Sequence, residues 1–418
     1  MPLSISHGAV ARPSARLGPL AVEAPDEDIL TLAVAAAEAL PAPADGPPVV
    51  RIDLVGEFPA EAEWQMLEAL GARDAAIHRV PAGPGQLFET LLRSTDRASS
   101  GPALVLAVDQ SSAGSGRGSD HGALAVAFRI SEGPGIVVES VRSHATSPAE
   151  AKRPLRLPPS GSRGAMPLLL LGDETRVGAA AGAAAGLGYA PAIVPRAPPG
   201  TGAAPTAPYG LALRAAPPAE GGAVEFALAV LADDRDVFVR ARATGPIRWT
   251  EAPIPTPMNV AAPPAREEAG ELDARAEGAY VPRARYLENL PSRWRLLAEK
   301  CSPCDRLTFP VRGACASCGS SELTTVPLAR SGWVVEASTT VHPGAQPTEF
   351  DRTVAAGGAY SVVVARAPEG PKATFQVAGP AGTAPVGTRV SPVLRRLYPM
   401  EGEWRYGRKA VPVGARSP

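Results

Sequence analysis

The sequence predicts a layered α/β domain, then a small metal-bound ribbon and a compact β-barrel. Three observations predict it. Strands and helices alternate through the first 245 residues, two CxxC pairs lie together between 301 and 318, and the segment after them is strand-rich with glycine turns.

DEDILTLAVAAAEAL (26–40) reads as a helix, with acidic residues opening it where the helix dipole favours them and Pro41 stopping it. VVRIDLVGEF (49–58) is a mostly apolar strand, and AEWQMLEALG (62–71) a helix closed by glycine. PGQLFETLLRST (84–95) is a further helix, and PALVLAVD (102–109) a buried strand. SSAGSGRGSD (111–120) is a polar loop, followed by strands at 122–131 and 135–144 around the turn EGPG. A shorter second round follows, with a strand at 166–173, an Ala/Gly-rich helix at 177–189, a helix near YGLALRAA, and strands VEFALAVLAD and DVFVRAR. Residues 246–280 are too proline-rich and polar to bury a core and read as a linker. A helix over 283–300, RARYLENLPSRWRLLAEK, leads into the cysteines. Residues 325–413 then carry GWVVEASTTV, AYSVVVARA, KATFQVAG and GTRVSPVLRRLY, the strands of a small barrel.

The chain has 418 residues, enough for more than one domain. Its 41 Lys plus Arg and 42 Asp plus Glu nearly cancel, and no basic stripe is present, so charge gives no reason to expect nucleic acid. No apolar run is long enough to span a bilayer, and MPLSISHGAVARPSARLGPL lacks the apolar stretch of a secretory signal, so a cytoplasmic protein without membrane partners is expected.

All four cysteines, Cys301, Cys304, Cys315 and Cys318, fall in CSPCDRLTFPVRGACASCG. Two CxxC turns present two sulfurs each to one ion, and four thiolates suit tetrahedral zinc. A redox-active pair would sit in a thioredoxin-like βαβ context, which is missing. With every position filled by sulfur, no site remains for water or substrate, and the zinc is expected to be structural.

These residues resemble the DUF35 family, which joins a helix, a rubredoxin-like zinc ribbon and an OB-fold. The matching stretches are WRLLAEKC (294–301), TFPVR (308–312) where the family has an fPPR-like sequence, CASCG (315–319), and Trp333 at the start of the first barrel strand. The N-terminal part looks like a shortened hydroxymethylglutaryl-CoA synthase or thiolase-type domain. DEDILTLAVAAAEAL resembles that family's opening helix. PALVLAVD with HGALAVAF (121–128) resembles its central strands, and PGTGAAPTAPYGLAL (199–213) its late GNtGA loop. The resemblance implies α-β-α-β-α layers, here truncated. The implied domains are 20–245 (degenerate thiolase-like), 246–280 (linker), 281–324 (helix and ribbon) and 325–413 (OB-fold).

Condensation on such folds uses a cysteine nucleophile at a helix N-terminus, with a His and an Asn around the thioester. Carried onto this chain, the cysteine position falls on Val80 in HRVPAGPGQLFETLL, the His position near Gly172, and the Asn position on Gly200. Of the five histidines, none lies near 172 or 200. Ser111, Ser112 and Ser115 sit in a loop that is no nucleophile elbow, and GSGRGSD lacks the GK[ST] of a phosphate loop. His78 reads as a strand-edge residue and His144 as a turn or surface residue.

The expectation is a non-catalytic scaffold and CoA-channel subunit that pairs with a catalytic thiolase or synthase subunit in an acyl-CoA condensing or thiolytic complex. Arg293, Arg295, Lys300, Arg306 and Arg312 flank the ribbon as candidate contacts for coenzyme A, or as solvated charges. The alternatives are a self-sufficient acyltransferase with another nucleophile, and an OB-fold nucleic-acid binder, although the basic aromatic face the latter needs is weak.

Overall fold

A computed structural model describes residues 3–41, 48–96, 101–110, 123–145, 164–194, 207–259, 281–342 and 358–413, apart from short gaps within these spans, and a few residues between them. The first half contributes β1 (Leu3–Ala11), β2 (Ala15–Leu17), β3 (Leu20–Val22), α1 (Ile29–Ala39), β4 (Arg51–Val55), α2 (Ala62–Leu70), β5 (Ala76–Val80), α3 (Pro84–Thr95), β6 (Ala103–Asp109) and β7 (Leu124–Glu132). The second contributes β8 (Ile136–Ala145), β9 (Met166–Gly172), α4 (Glu174–Ala185), β10 (Tyr189–Ile193), α5 (Ala207–Gly210), β11 (Val224–Leu231), β12 (Arg235–Ala243), β13 (Arg248–Glu251) and β14 (Met258–Asn259).

The main sheet runs β10-β9-β11-β12-β8-β1-β7-β6-β4-β5. Numbering each half's strands in chain order, both halves read 3-2-4-5-1, with the fifth strand antiparallel to the fourth. The domain is therefore a duplication. Among the described strands the sheet joins the halves through one bridged pair, Ile5 with Ile136, where the EGPG turn passes the chain from β7 in one half to β8 in the other. The duplication extends to backbone detail. Gly56, after β4, and Gly172, ending β9, hold φ of +146° and +145°. A Cβ on either would come within 2.6 and 2.5 Å of a carbonyl, Val108 O or Leu231 O respectively.

Three apolar cores separate the layers. One packs α1 and α2 on the outer face of the first half. A second places Leu87, Phe88 and Leu91 of α3 between the two halves, against Val126, Val138 and Val239. A third packs α4 on the outer face of the second half. Helices thus pack on a mixed α/β sheet from the outside of each half and from between the halves. Helix α1 is apolar nearly all round, as a helix buried on two sides must be.

Three differences from the sequence reading have local causes. Residues 3–11, before the expected start of the domain, supply the strand at the junction of the halves, and Arg248–Glu251, within the expected linker, pairs parallel to that strand. The Ala/Gly helix ends at Ala185, and the left-handed Gly188 (φ +82°) turns the chain into β10. The expected helix over 283–300 divides into α6 (Arg283–Glu288) and α7 (Leu290–Arg295). Pro291 restarts it in the first turn of α7, and Leu296, left-handed at φ 56°, releases LAEKC into a strand.

The ribbon is a three-stranded sheet of β15 (Leu297–Cys301), β16 (Leu307–Thr308) and β17 (Leu323–Pro327). Beyond it, β18 (Trp333–Val341), β19 (Tyr360–Arg366), β20 (Lys372–Val377), β21 (Arg389–Met400) and β22 (Glu403–Pro412) close into a barrel.

The barrel docks on α1 through charge. Asp28 caps α1 in a reciprocal box with Thr31, and no acidic residue lies in the first helical turn. The acids ahead of the cap face the barrel instead: Glu27 Oε1 accepts from Arg395 at 2.8 Å and Asp26 Oδ2 from Lys409 at 3.0 Å. Farther along, Glu38 accepts from Arg408, whose Nε also donates to Trp294 O at 2.6 Å. The fully buried Trp294 of α7 stacks on Trp64 of α2, centroids 5.9 Å apart, and donates Nε1 to Tyr406 O at 3.0 Å.

Candidate metal centre and ligand cavity

The two CxxC turns fold identically. Asp305 N donates to Cys301 O (2.9 Å) and Gly319 N to Cys315 O (3.0 Å), while Cys301 N and Cys315 N each donate to the carbonyl five residues on, Arg306 and Ser320. Both turns close on a left-handed residue, Asp305 at φ 59° and Gly319 at φ 73°. This aims two sulfurs from each turn at one point. The Sγ atoms of Cys301 and Cys318, and of Cys304 and Cys315, are 3.5 Å apart, and all four lie within 4.8 Å of one another. A tetrahedron with Zn–S bonds of 2.3 Å has edges of about 3.8 Å, so the donor set fits zinc in size and chemistry. Backbone N–H groups of Cys318 and Ser317 lower the Cys315 thiol to about 6, while burial pushes Cys301 up to about 12. Bound zinc would hold all four as thiolates and leave no coordination site for a substrate.

A cavity of about 700 Å³ opens between α7, the ribbon and the barrel. Arg293 and Ser292 of α7 form one side, and Phe309, Pro310 and Arg312 of the segment between the CxxC turns form the next. The barrel closes it with Tyr360, Val362, Val364, Phe375 and Gln376. The ribbon segment is pinned at three successive backbone N–H groups. Val311 N donates to Ser292 Oγ at 3.0 Å, and Glu299 accepts from Arg312 N and Gly313 N at 2.7 and 3.1 Å.

The five cations flanking the ribbon divide. Arg293 and Arg312 reach the cavity, where Lys372 joins them. Arg295 does not; its guanidinium lies over Gly71, the left-handed C-cap of α2, where a helix end favours a cation. Lys300 pairs with Asp305 at 2.8 Å on the ribbon surface, and Arg306 is exposed nearby. Nothing in the sequence marks Lys372, which stands far along the chain in an ordinary strand.

Val80 ends β5, half-buried beside the core around α3, and α3 begins four residues later behind Gly83. Gly172 occupies the strained turn at the end of β9. Gly200, Ser111, Ser112 and Ser115 lie outside the described residues. His78 Nδ1 is 3.1 Å from Asp53 Oδ1, and the other carboxylate oxygen accepts from Arg51 Nε and Ser94 Oγ at 3.0 and 3.2 Å. The serine hydroxyl thus donates to the acid and ties α3 to β4. His144 stands opposite Asp236 near the ends of β8 and β12.

The model of the ChsH2 rubredoxin-like zinc ribbon domain matches residues 291–324. In structure, the chain is similar to PksG, an HMG-CoA synthase from Bacillus subtilis, at 13% identity over 58% of this chain and 80% of that one, TM-score 0.42. It is similar to 3-oxoacyl-(acyl carrier protein) synthase III, FabH, from Pseudomonas aeruginosa PAO1, at 12% identity over 59% and 99%, TM-score 0.40. It is also similar to the Ltp2-ChsH2(DUF35) aldolase, at 23% identity over 32% and 98%, TM-score 0.23. No described helix is long and apolar enough to cross a membrane.

Proposed function

We propose that this chain is a non-catalytic, cytoplasmic scaffold subunit of a thiolase-type acyl-CoA condensing or thiolytic complex. In this reading the barrel is an OB-fold, the zinc is structural, and the cavity beside the ribbon contacts coenzyme A. The observation that carries the reading is the placement of the thiols. All four gather in one cluster suited to a closed metal site, while Val80 stands ahead of the helix where the resemblance puts the nucleophile.

Two further features support it. A side chain at Gly172, where the resemblance puts the histidine, would press on Leu231 O. Strand β5 forms one edge of the main sheet, the side on which a catalytic thiolase or synthase subunit would add its own strand and supply the cysteine. The chain's own residues then bind and orient: Arg293 and Arg312 hold anionic groups beside an apolar wall.

The test is to incubate the isolated chain with acetyl-CoA and acetoacetyl-CoA, following free thiol release and protein mass. Neither turnover nor an acyl adduct is expected until a catalytic subunit is added. An acyl adduct on the isolated chain supports a self-sufficient acyltransferase instead.

A further inference from the structure

We propose that the ribbon–barrel cavity takes the nucleotide end of coenzyme A, its adenine and ribose phosphates, and not its acyl end. This rests on the coenzyme A reading given above. At about 700 Å³ the cavity has the size of small-molecule sites. Its apolar wall of Phe309, Val362, Val364 and Phe375 would accept an acyl chain or a flat base equally well. The polar groups discriminate between them.

Gln376 and Arg293 bring an amide and a guanidinium to the lining. An aliphatic chain filling the space would engage neither. A purine with an exocyclic amine and ring nitrogens can satisfy the Gln376 amide in the paired manner by which glutamine reads adenine. A ribose phosphate supplies the acceptor for the Arg293 guanidinium.

Charge points the same way. The cavity is lined by Arg293, Arg312, Lys372 and Arg408 and by no carboxylate among the described residues. Arg408 is committed to Glu38 and Lys372 to Glu336, whereas Arg293 and Arg312 form no ion pair with any described residue. Two uncommitted guanidiniums beside an apolar slot suit a bisphosphorylated nucleoside.

The experiment is calorimetric titration of the full zinc-loaded chain with three probes: coenzyme A, adenosine 3′,5′-bisphosphate and octanoyl-pantetheine. Coenzyme A and the bisphosphate are expected to bind and to compete, and octanoyl-pantetheine to give no heat. Arg312→Ala, at an exposed position, and Gln376→Leu should each weaken the bisphosphate about tenfold or more. Binding of octanoyl-pantetheine without the bisphosphate overturns the assignment of the nucleotide end but leaves the coenzyme A reading standing. Coenzyme A that binds neither the chain alone nor the chain with a catalytic subunit overturns both. Bisphosphate binding that both variants leave unchanged places the ligand elsewhere and overturns the proposal.

Discussion

Replacing Arg395 by methionine should detach the barrel from the α/β domain. The Arg395 and Glu27 side chains are 2% and 0% exposed, with 2.8 Å between Nη2 and Oε1. Leaving one member of such a pair buried without the other costs about 3–5 kcal/mol. The two members are not equivalent. Asp26 also feels Arg395, so Glu27→Gln leaves the arginine a second carboxylate and its cost falls near 3 kcal/mol. Arg395→Met removes the guanidinium from a carboxylate that is fully buried, and its cost lies near 5 kcal/mol. For a unit of this size each kcal/mol moves the melting midpoint about 2–4 °C, so the shifts are roughly 6–12 and 10–20 °C. Glu27→Leu with Arg395→Met should recover most of the loss, because no charge is left uncompensated. Tryptophan fluorescence reports the Trp64–Trp294 stack during melting, and amide exchange over Arg389–Met400 reports docking directly. Single variants that each cost under about 1 kcal/mol, or a double variant as unstable as the two losses added, would refute the reasoning.

Acid should loosen the same joint. Burial raises Asp26 and Glu38, but Lys409 and Arg395 at the first and Arg408 and Arg330 at the second outweigh it, so both carboxyls are held below their usual range. Their contribution is complete above the unfolded values of about 4 and is lost as pH falls through the lower folded values. The protection factors of interface amides, exchange corrected for its intrinsic pH dependence, should therefore be flat between about pH 5 and 8 and fall below about 4; a fall beginning above pH 5 contradicts the sign. Gly172→His should lower stability by about 1–3 kcal/mol without giving acyl transfer, since it forces a β-carbon into a φ of +145° against Leu231 O. An unshifted melting curve rejects that account. Trp64→Ala should open the interface without loss of zinc, measured by exchange and by metal content; metal loss would mean that ribbon and interface are one folding unit.

The parts of this molecule legible in its sequence are those set by local chemistry. The CxxC spacing specifies the knuckle hydrogen bonds, Gly71 specifies the end of α2, and alternating apolar strands specify the sheet. What the sequence concealed depends on contacts between distant segments. Residues 3–11 form a polar-interrupted stretch, LSISHGAVA, that becomes a junction strand only because β7 and β13 flank it. The acids before α1 suit a helix dipole locally, and only the barrel's Arg395 and Lys409, over 360 residues away, give them their actual partners. Likewise Arg295 and Arg312 are indistinguishable as charges beside a ribbon; one lies on a helix end and the other beside a cavity.

The zinc centre and the cavity are mechanically one object, which bears on what a structural metal does here. Phe309, Pro310 and Arg312 belong to the segment that joins Cys304 to Cys315, so a metal ligand anchors each end of this wall of the cavity. Hydrogen bonds to Ser292 and Glu299 orient the segment but do not close it. Removing zinc should therefore abolish bisphosphate binding even though no metal ligand touches the cavity, while the docked barrel, held by buried ion pairs and Trp294, keeps its protection from exchange. Chelation followed by titration and exchange on the same sample separates the two effects. Binding that survives chelation would show that Ser292 and Glu299 alone hold the wall, and the metal would then serve only the ribbon.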